Sequence, residues 1–228
     1  MISKKVLKIC ASILNIIGCI QFIILTSIAM LYYTGGTYAD PTTTNYQFCY
    51  NFFSDLGRTV AHSGNPNKIA FILFLIALSI WGLLQIQFYI ALTFLFKHNI
   101  NLKYFSYTGS ILGVLAGICY IGIAFTPSNL LNPLHDLFVV IAFSSIFLSI
   151  LFYSIAFFKN KNLSRLYAIA LIVSACILAI YFVLLYLYPN HRTPKDLFIQ
   201  VTGQKIMIYT LLVSGILLGY ASLKYNLS

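Results

Sequence analysis

Long apolar runs alternate with short polar breaks along the whole chain. Six runs, at approximately 9–33, 69–96, 107–126, 136–158, 166–188 and 206–223, reach or approach the ~20 residues a helix needs to cross a hydrocarbon layer. The run at 69–96 is long and predicts a tilted helix. In lipid a helix satisfies its own backbone hydrogen bonds, whereas an open sheet leaves an edge exposed. The pattern therefore predicts an all-α fold: a polytopic membrane protein of six transmembrane helices, forming a single domain over 1–228. The first run follows a basic stretch, Met1 to Lys8. It outruns the ~7–15-residue core of a signal peptide, and no A-x-A site follows, so it reads as a retained span.

Composition supports a membrane solvent. Hydrophobic residues make up 60% of the 228 and charged residues only 8%, with a mean hydropathy of +0.89. Soluble domains average about 45–50% apolar and about 25% charged. The formal net charge of +10 is distributed in short clusters between apolar runs, which reads as topology and argues against nucleic acid as a partner. Cys10, Cys19, Cys119 and Cys176 fall within apolar runs and only Cys49 in a connector. No pair is spaced as C-x-x-C, so neither a disulfide framework nor a zinc ribbon is expected. No metal site and no cofactor is predicted.

Connector charge sets the expected orientation. Lys4, Lys5, Lys8, Lys97, Lys103, Lys159, Lys161, Arg165 and Lys224 lie on one side, and Arg58, Lys68, Arg192, Lys195 and Lys205 on the other. The richer side reads as cytoplasmic, placing both termini inside a cell membrane. All four carboxylates, Asp40, Asp55, Asp136 and Asp196, fall on the outer side with His62, His135 and His191, while the inner connectors hold His98 and no acid. Titratable chemistry is thus concentrated outside. No Asp, Glu, Lys or Arg stands near the centre of a predicted span, which disfavours a proton relay or voltage sensor.

Within the third run Gly109, Gly113 and Gly117 are four apart, with Gly122 following, and Gly215 and Gly219 repeat the spacing in the sixth. Such stripes let backbones approach closely. Packing within the chain is the favoured reading, and a homo-oligomer through these faces is the alternative.

Three outer connectors carry the candidate chemistry. At 50–64, YNFFSDLGRTVAHSG, a helical projection puts Asn51, Ser54, Asp55, Arg58 and His62 within an arc of about 100°. Phe52, Phe53, Leu56, Val60 and Cys49 fall opposite, predicting a short amphipathic interfacial helix. In the second connector Asn132-Pro133 reads as an N-cap and first helical position. His135 and Asp136 then stand in the first turn of the fourth span, Asp136 favoured by the helix dipole. In the third, Thr193-Pro194 with Asp196 is a second capping signature. His191, Arg192, Lys195 and Lys205 there read either as a solvated, snorkelling cluster or as an anion clamp. A zinc hydrolase or serine hydrolase would need these residues to converge, and neither H-E-x-x-H nor G-x-S-x-G is present.

NFFSDLG at 51–57 and FTPSNLLNPLHDLFVVIAF at 125–143 resemble the six-helix membrane family catalogued as domain of unknown function 998. That family pairs an S-D-L-G-like motif after the first span with an F-P…H motif at the fourth. Ser54, Asp55 and Gly57 match the first, and Phe125, Pro127 and His135 match the second, with Thr126 intervening. The chain is more distantly similar to the Frag1/DRAM/Sfk1 membrane proteins, whose members have lipid, GPI-anchor and autophagy-related roles. It shares residue types with alkaline ceramidase-like hydrolases but lacks their H-x-x-x-H in the last span. The resemblance implies that the polar stripe of 50–64 turns over the outer mouth of the bundle. Asp55 is then expected to meet Arg58 or Arg192, with Ser54 and His135 bordering one pocket. The expected ligand-binding set is Asn51, Ser54, Asp55, Arg58, His62, His135, Asp136, His191 and Arg192. Membrane lipids are the expected partners. Recognition or handling of a lipid or small amphiphile is the leading expectation. A lipid-headgroup hydrolase or transferase and a structural membrane protein are the alternatives.

Overall fold

The structure is a computed structural model that describes residues 4–94, 100–160, 164–189 and 193–227. Six helices are present: α1 (Lys4–Leu31), α2 (Lys68–Leu92), α3 (Ile100–Phe125), α4 (Asn132–Lys159), α5 (Arg165–Leu187) and α6 (Pro194–Leu227). All six are long and apolar enough to cross a membrane, so the chain is an integral, multi-pass membrane protein. Apolar side chains stand on every side of these helices, as expected where the solvent on the outer face is lipid. Ile17, Ile24, Leu83, Ile111, Val140, Ile172 and Val213 are among those exposed outward.

Each helix packs against its neighbours in sequence, and α6 packs against α1. The six therefore close into a ring. With an even number of crossings both termini lie at one end. The other end, here the distal end, carries the 32–67 connector, the short α3–α4 connector and the α5–α6 connector.

The glycine stripes serve packing within this ring. An added Cβ at Gly113 meets the Tyr89 ring of α2 at 2.4 Å, and one at Gly117 meets Ile86 of α2 at 2.7 Å. One at Gly109 meets Tyr153 of α4 at 2.9 Å, so α3 is wedged between α2 and α4. Gly215 and Gly219 face Cys19 and Ile16 of α1 and close the ring. Polar side chains tie the same seams: Asn15 donates to Gly215 O at 2.7 Å, and Ser149 to Gly109 O at 2.6 Å.

Two helix starts rest on local chemistry. Asp196 N–H donates to Thr193 Oγ1 at 3.3 Å, so α6 begins at the Thr-Pro signature as expected. In α4 the cap falls one residue earlier than expected, at Leu131, and Asn132 is the first helical residue. The amide of Asn132 is used instead on Asp136 Oδ2, at 2.8 Å.

α6 has 34 residues, ~51 Å at 1.5 Å per residue, against a hydrocarbon thickness of about 30 Å. Its first turns extend distally beside the 32–67 connector. Leu197 and Val201 on that stretch bury against Phe52. The long connector is thereby packed onto the ring.

Candidate functional site

The 32–67 connector is built by its own polar residues. Gly35 and Gly36 have φ of 94° and 81°. A Cβ on Gly36 would stand 2.1 Å from Ser63 N, so only glycine lets the two ends of the connector meet there. Asn51, fully buried, donates to Gly36 O at 2.9 Å and to Asp55 Oδ2 at 3.0 Å. Asp55 Oδ2 also accepts the Phe52 N–H at 2.9 Å. These bonds stop an α-helix. Asn and Asp side chains near the backbone offer it partners other than the i−4 carbonyl.

The short helix of this connector is therefore a 3-10 turn, α-helical nowhere, at Phe53–Gly57. It does not run over the whole of 50–64. Beyond Gly57 the chain is extended, with an isolated bridge between Val60 and Pro66. The expected division into a lipid-facing and a polar face is replaced by burial on both sides. Phe52, Phe53 and Leu56 are buried, and so are Asn51 and Asp55, whereas Val60 is exposed.

Asp55 meets His62 rather than Arg58, the described one of its two expected partners. Its Oδ1 stands 3.0 Å from His62 Nε2. Arg58 instead donates from Nε to Val60 O at 3.1 Å. His191 and Arg192 lie outside the described residues, as do Lys97, His98 and Lys161. The His62 ring lies against Tyr38, with centroids 4.1 Å apart.

Lys205, read either as part of a solvated, snorkelling cluster or as part of an anion clamp, is buried within α6. Its ammonium donates to Asn51 O at 2.7 Å and to the Tyr46 hydroxyl. It also stands 4.1 Å from the Phe53 ring centroid and 5.4 Å from that of Phe48, a cation–π cage. Tyr46 in turn donates to Asn51 O and Phe52 O. Beside it, Gln204 Oε1 accepts the Phe53 N–H at 2.9 Å. Burial, with the Asp55 carboxylate adding, holds the Tyr33, Tyr38 and Tyr46 phenols above the ordinary tyrosine range. A tie on the other side joins this connector to the next. Thr59 N–H donates to Asn129 Oδ1 at 3.0 Å, and Asn129 Nδ2 to Thr59 Oγ1 at 2.8 Å.

Under this cover lies a cavity of about 200 Å³ with walls from all six helices. Its depth is aromatic, with Phe22, Trp81, Tyr120 and Phe143 among the lining. Trp81 and Tyr120 are stacked, with centroids 4.6 Å apart and planes at 15°, and the Phe22 centroid lies 4.9 Å from that of Trp81. Trp81 and Tyr120 also line a second, very small cavity on the other side, with Gln85, Tyr89 and Ser214. The distal rim of the larger cavity is polar: Ser54 from the connector, Ser128 from the α3–α4 connector, and Asn132, His135 and Asp136 from α4.

The structure thus brings Ser54, His135 and Asp136 to one cavity, while Asn51, Asp55 and His62 form the network that shapes the connector above it. His135 is buried, and its Nδ1 stands 2.6 Å from Thr126 O. A carbonyl only accepts, so Nδ1 carries the proton, and in the neutral ring Nε2 is the acceptor. Among the described residues no three His, Cys, Asp or Glu side chains cluster closely enough to hold a metal ion.

The buried role of Lys205, the parts of Tyr46 and Gln204, and the Thr59–Asn129 tie were all missed by sequence reasoning. A signal for Lys205 was present. Counted from the Thr193 cap, Leu197, Val201 and Lys205 recur every four residues and share one helix face.

These features define a class: a multi-pass α-helical membrane protein whose ring of helices encloses a polar-rimmed, aromatic-floored chamber towards one end. No protein-family model, no curated protein and no solved structure matches the chain.

Proposed function

We propose that the protein binds a lipid or small amphiphile in this chamber, with the distal end facing outside the cell membrane and both termini in the cytoplasm. The observation that carries the reading is the gradient along the cavity. Aromatic and aliphatic side chains from every helix line its depth, and hydroxyl, amide, imidazole and carboxylate groups gather at its rim. A deep apolar site with a few convergent polar groups is the usual form of a small-molecule site. The polarity gradient matches an apolar chain with a polar head. The orientation rests on the lysine and arginine bias of the connectors. Likeness to the family of domain of unknown function 998 stands as part of the same proposal. It is supported by the fact that Ser54 and His135, one from each motif, line one cavity.

The test is lipid retention. Wild type and Val139→Trp, which fills the cavity from its half-buried wall, are extracted in mild detergent and examined by native mass spectrometry. Wild type is expected to carry a bound amphiphile that Val139→Trp lacks, with both proteins eluting as folded, monodisperse species on size-exclusion chromatography. Equal lipid content in both would refute the reading.

A hydrolase or transferase of lipid headgroups is the second reading, favoured by one observation. Ser54 and His135 border the same space, with the imidazole oriented through Nδ1 so that Nε2 can accept a proton. Turnover of a lipid headgroup that is lost in His135→Gln while the bound amphiphile is retained would favour it.

A further inference from the structure

We propose that the chamber selects amphiphiles whose headgroup donates hydrogen bonds and carries positive charge, an amine above all, and discriminates against phosphate-type anions. This rests on the cavity-binding reading and names its ligand class.

The hydrogen-bonding groups of the rim decide the class. Asn132 faces the Asp136 carboxylate at 2.8 Å. A carboxylate only accepts, so the amide nitrogen points there, leaving Asn132 Oδ1 and Asp136 Oδ1 as acceptors. The His135 ring, by the Thr126 contact, offers Nε2 as a third acceptor in its neutral form. Ser54, Ser128 and Tyr38 are hydroxyls and can turn either way, while Gln200 donates from its amide nitrogen to Tyr188 O and Gln204 Oε1 accepts the Phe53 N–H. The rim is thus richest in acceptors, with one formal negative charge.

Two cations of the distal end that could hold an anion are engaged elsewhere. The Lys205 ammonium is turned into its cage of Tyr46, Phe48 and Phe53 and onto Asn51 O. Arg58 is held to Val60 O. No lysine or arginine is among the described residues lining the cavity. A phosphate placed here would meet acceptors and a carboxylate, an arrangement that costs desolvation without repayment. An ammonium would gain charge-assisted bonds from the same groups. Its chain would lie on the Phe22, Trp81, Tyr120 and Phe143 floor. Of the third connector's basic residues, Lys205 is thus turned away from this space, whereas His191 and Arg192 lie outside the described residues.

The experiment uses the full-length protein in nanodiscs and three probes with one tail: octylamine, octanol and octyl phosphate. Thermal stabilisation is measured for wild type against Val139→Trp, the difference reporting the cavity. Octylamine is expected to act at about tenfold lower concentration than octyl phosphate, the ratio one charge-assisted hydrogen bond supplies. Octanol is expected to fall between. Asp136→Asn, on an exposed helix position, should narrow the amine–phosphate gap and change octanol less than octylamine. Octyl phosphate equal to or better than octylamine, or a gap untouched by Asp136→Asn, would overturn the inference while leaving cavity binding standing. If none of the three probes stabilises wild type more than it stabilises Val139→Trp, the binding reading itself fails, and the inference with it.

Discussion

Asp55 is the residue on which the connector above the cavity depends, and its removal can be worked through from the contacts. In Asp55→Ala the buried Phe52 N–H loses its partner, and the Asn51 amide nitrogen keeps only its bond to Gly36 O. The His62 side chain, 9% exposed, also loses its Asp55 contact and regains only part of it from water. One fully orphaned backbone donor and one half-satisfied amide, each worth roughly 1–3 kcal/mol, put the loss at about 3–5 kcal/mol. Asp55→Asn behaves differently. An amide oxygen can still accept from Phe52 and Asn51, and the amide nitrogen can face the His62 ring. The loss is then about 1–2 kcal/mol, the difference between a charged and a neutral acceptor. The assay is hydrogen exchange of connector peptides over 34–67 in the full-length protein, because the connector opens locally before the ring does. Protection is expected to fall by roughly 10²-fold to a few thousand-fold in Asp55→Ala and by about tenfold in Asp55→Asn, at ~1.4 kcal/mol per decade. Equal loss in both variants would refute the donor-by-donor reasoning, as would Asp55→Ala protection within about threefold of wild type.

Gly113→Leu forces a side chain into the Tyr89 ring, where even a Cβ comes to 2.4 Å. It is expected to lower the melting temperature or abolish the folded yield, measured by size-exclusion chromatography on heating, whereas Gly64→Ala meets no neighbour and costs only the about 1–2 kcal/mol of a left-handed backbone, φ being 85°. Cys49 is half-exposed in the distal connector, Cys19 and Cys119 are buried, and the exposed Cys10 and Cys176, on α1 and α5, are replaced by serine for the test. A membrane-impermeant maleimide is expected to label Cys49 from outside intact cells, and labelling only after lysis would reverse the proposed orientation. The raised tyrosine ionisations give a pH expectation. Unfolded tyrosines ionise at about pH 10. The folded pKa of Tyr33, Tyr38 and Tyr46 lies above that. Their contribution to stability is therefore intact below about pH 10 and is lost as pH rises from there through the folded values. In an alkaline titration followed at tyrosinate absorbance, Tyr46→Phe should remove signal from the late, unfolding-linked phase and none from the early one.

The fold was legible because lipid imposes one rule on every helix. Runs such as 166–188 and helix α5 agree within a residue or so at each end, since only an apolar run long enough to span can be left there. The Thr193-Pro194 start of α6 was equally readable, because a cap is a local event. The connector was not. Its helical projection of Asn51, Ser54, Asp55, Arg58 and His62 rested on periodicity. Two short polar side chains bonding to nearby backbone override periodicity, and nothing local says which backbone they will find. Lys205 was misplaced for a related reason. A lysine at the edge of an apolar run reads as solvated unless the rings that receive it, in the distant 46–53 stretch, are known to be near. Ser54 and His135 came to one cavity as the two short motifs implied, whereas the pairing of Asp55 with His62 depends on the loop's detailed path.

Trp81 is the chain's single tryptophan, and it sits on the floor of the larger cavity with Tyr120 stacked against it. The protein therefore carries its own optical probe at the bottom of the chamber. Its indole emission comes from one place and one environment, so a brominated or spin-labelled tail that reaches full depth would dim nearly all of it. A molecule held only at the mouth would leave the emission bright, and depth of entry can be read without attaching a dye.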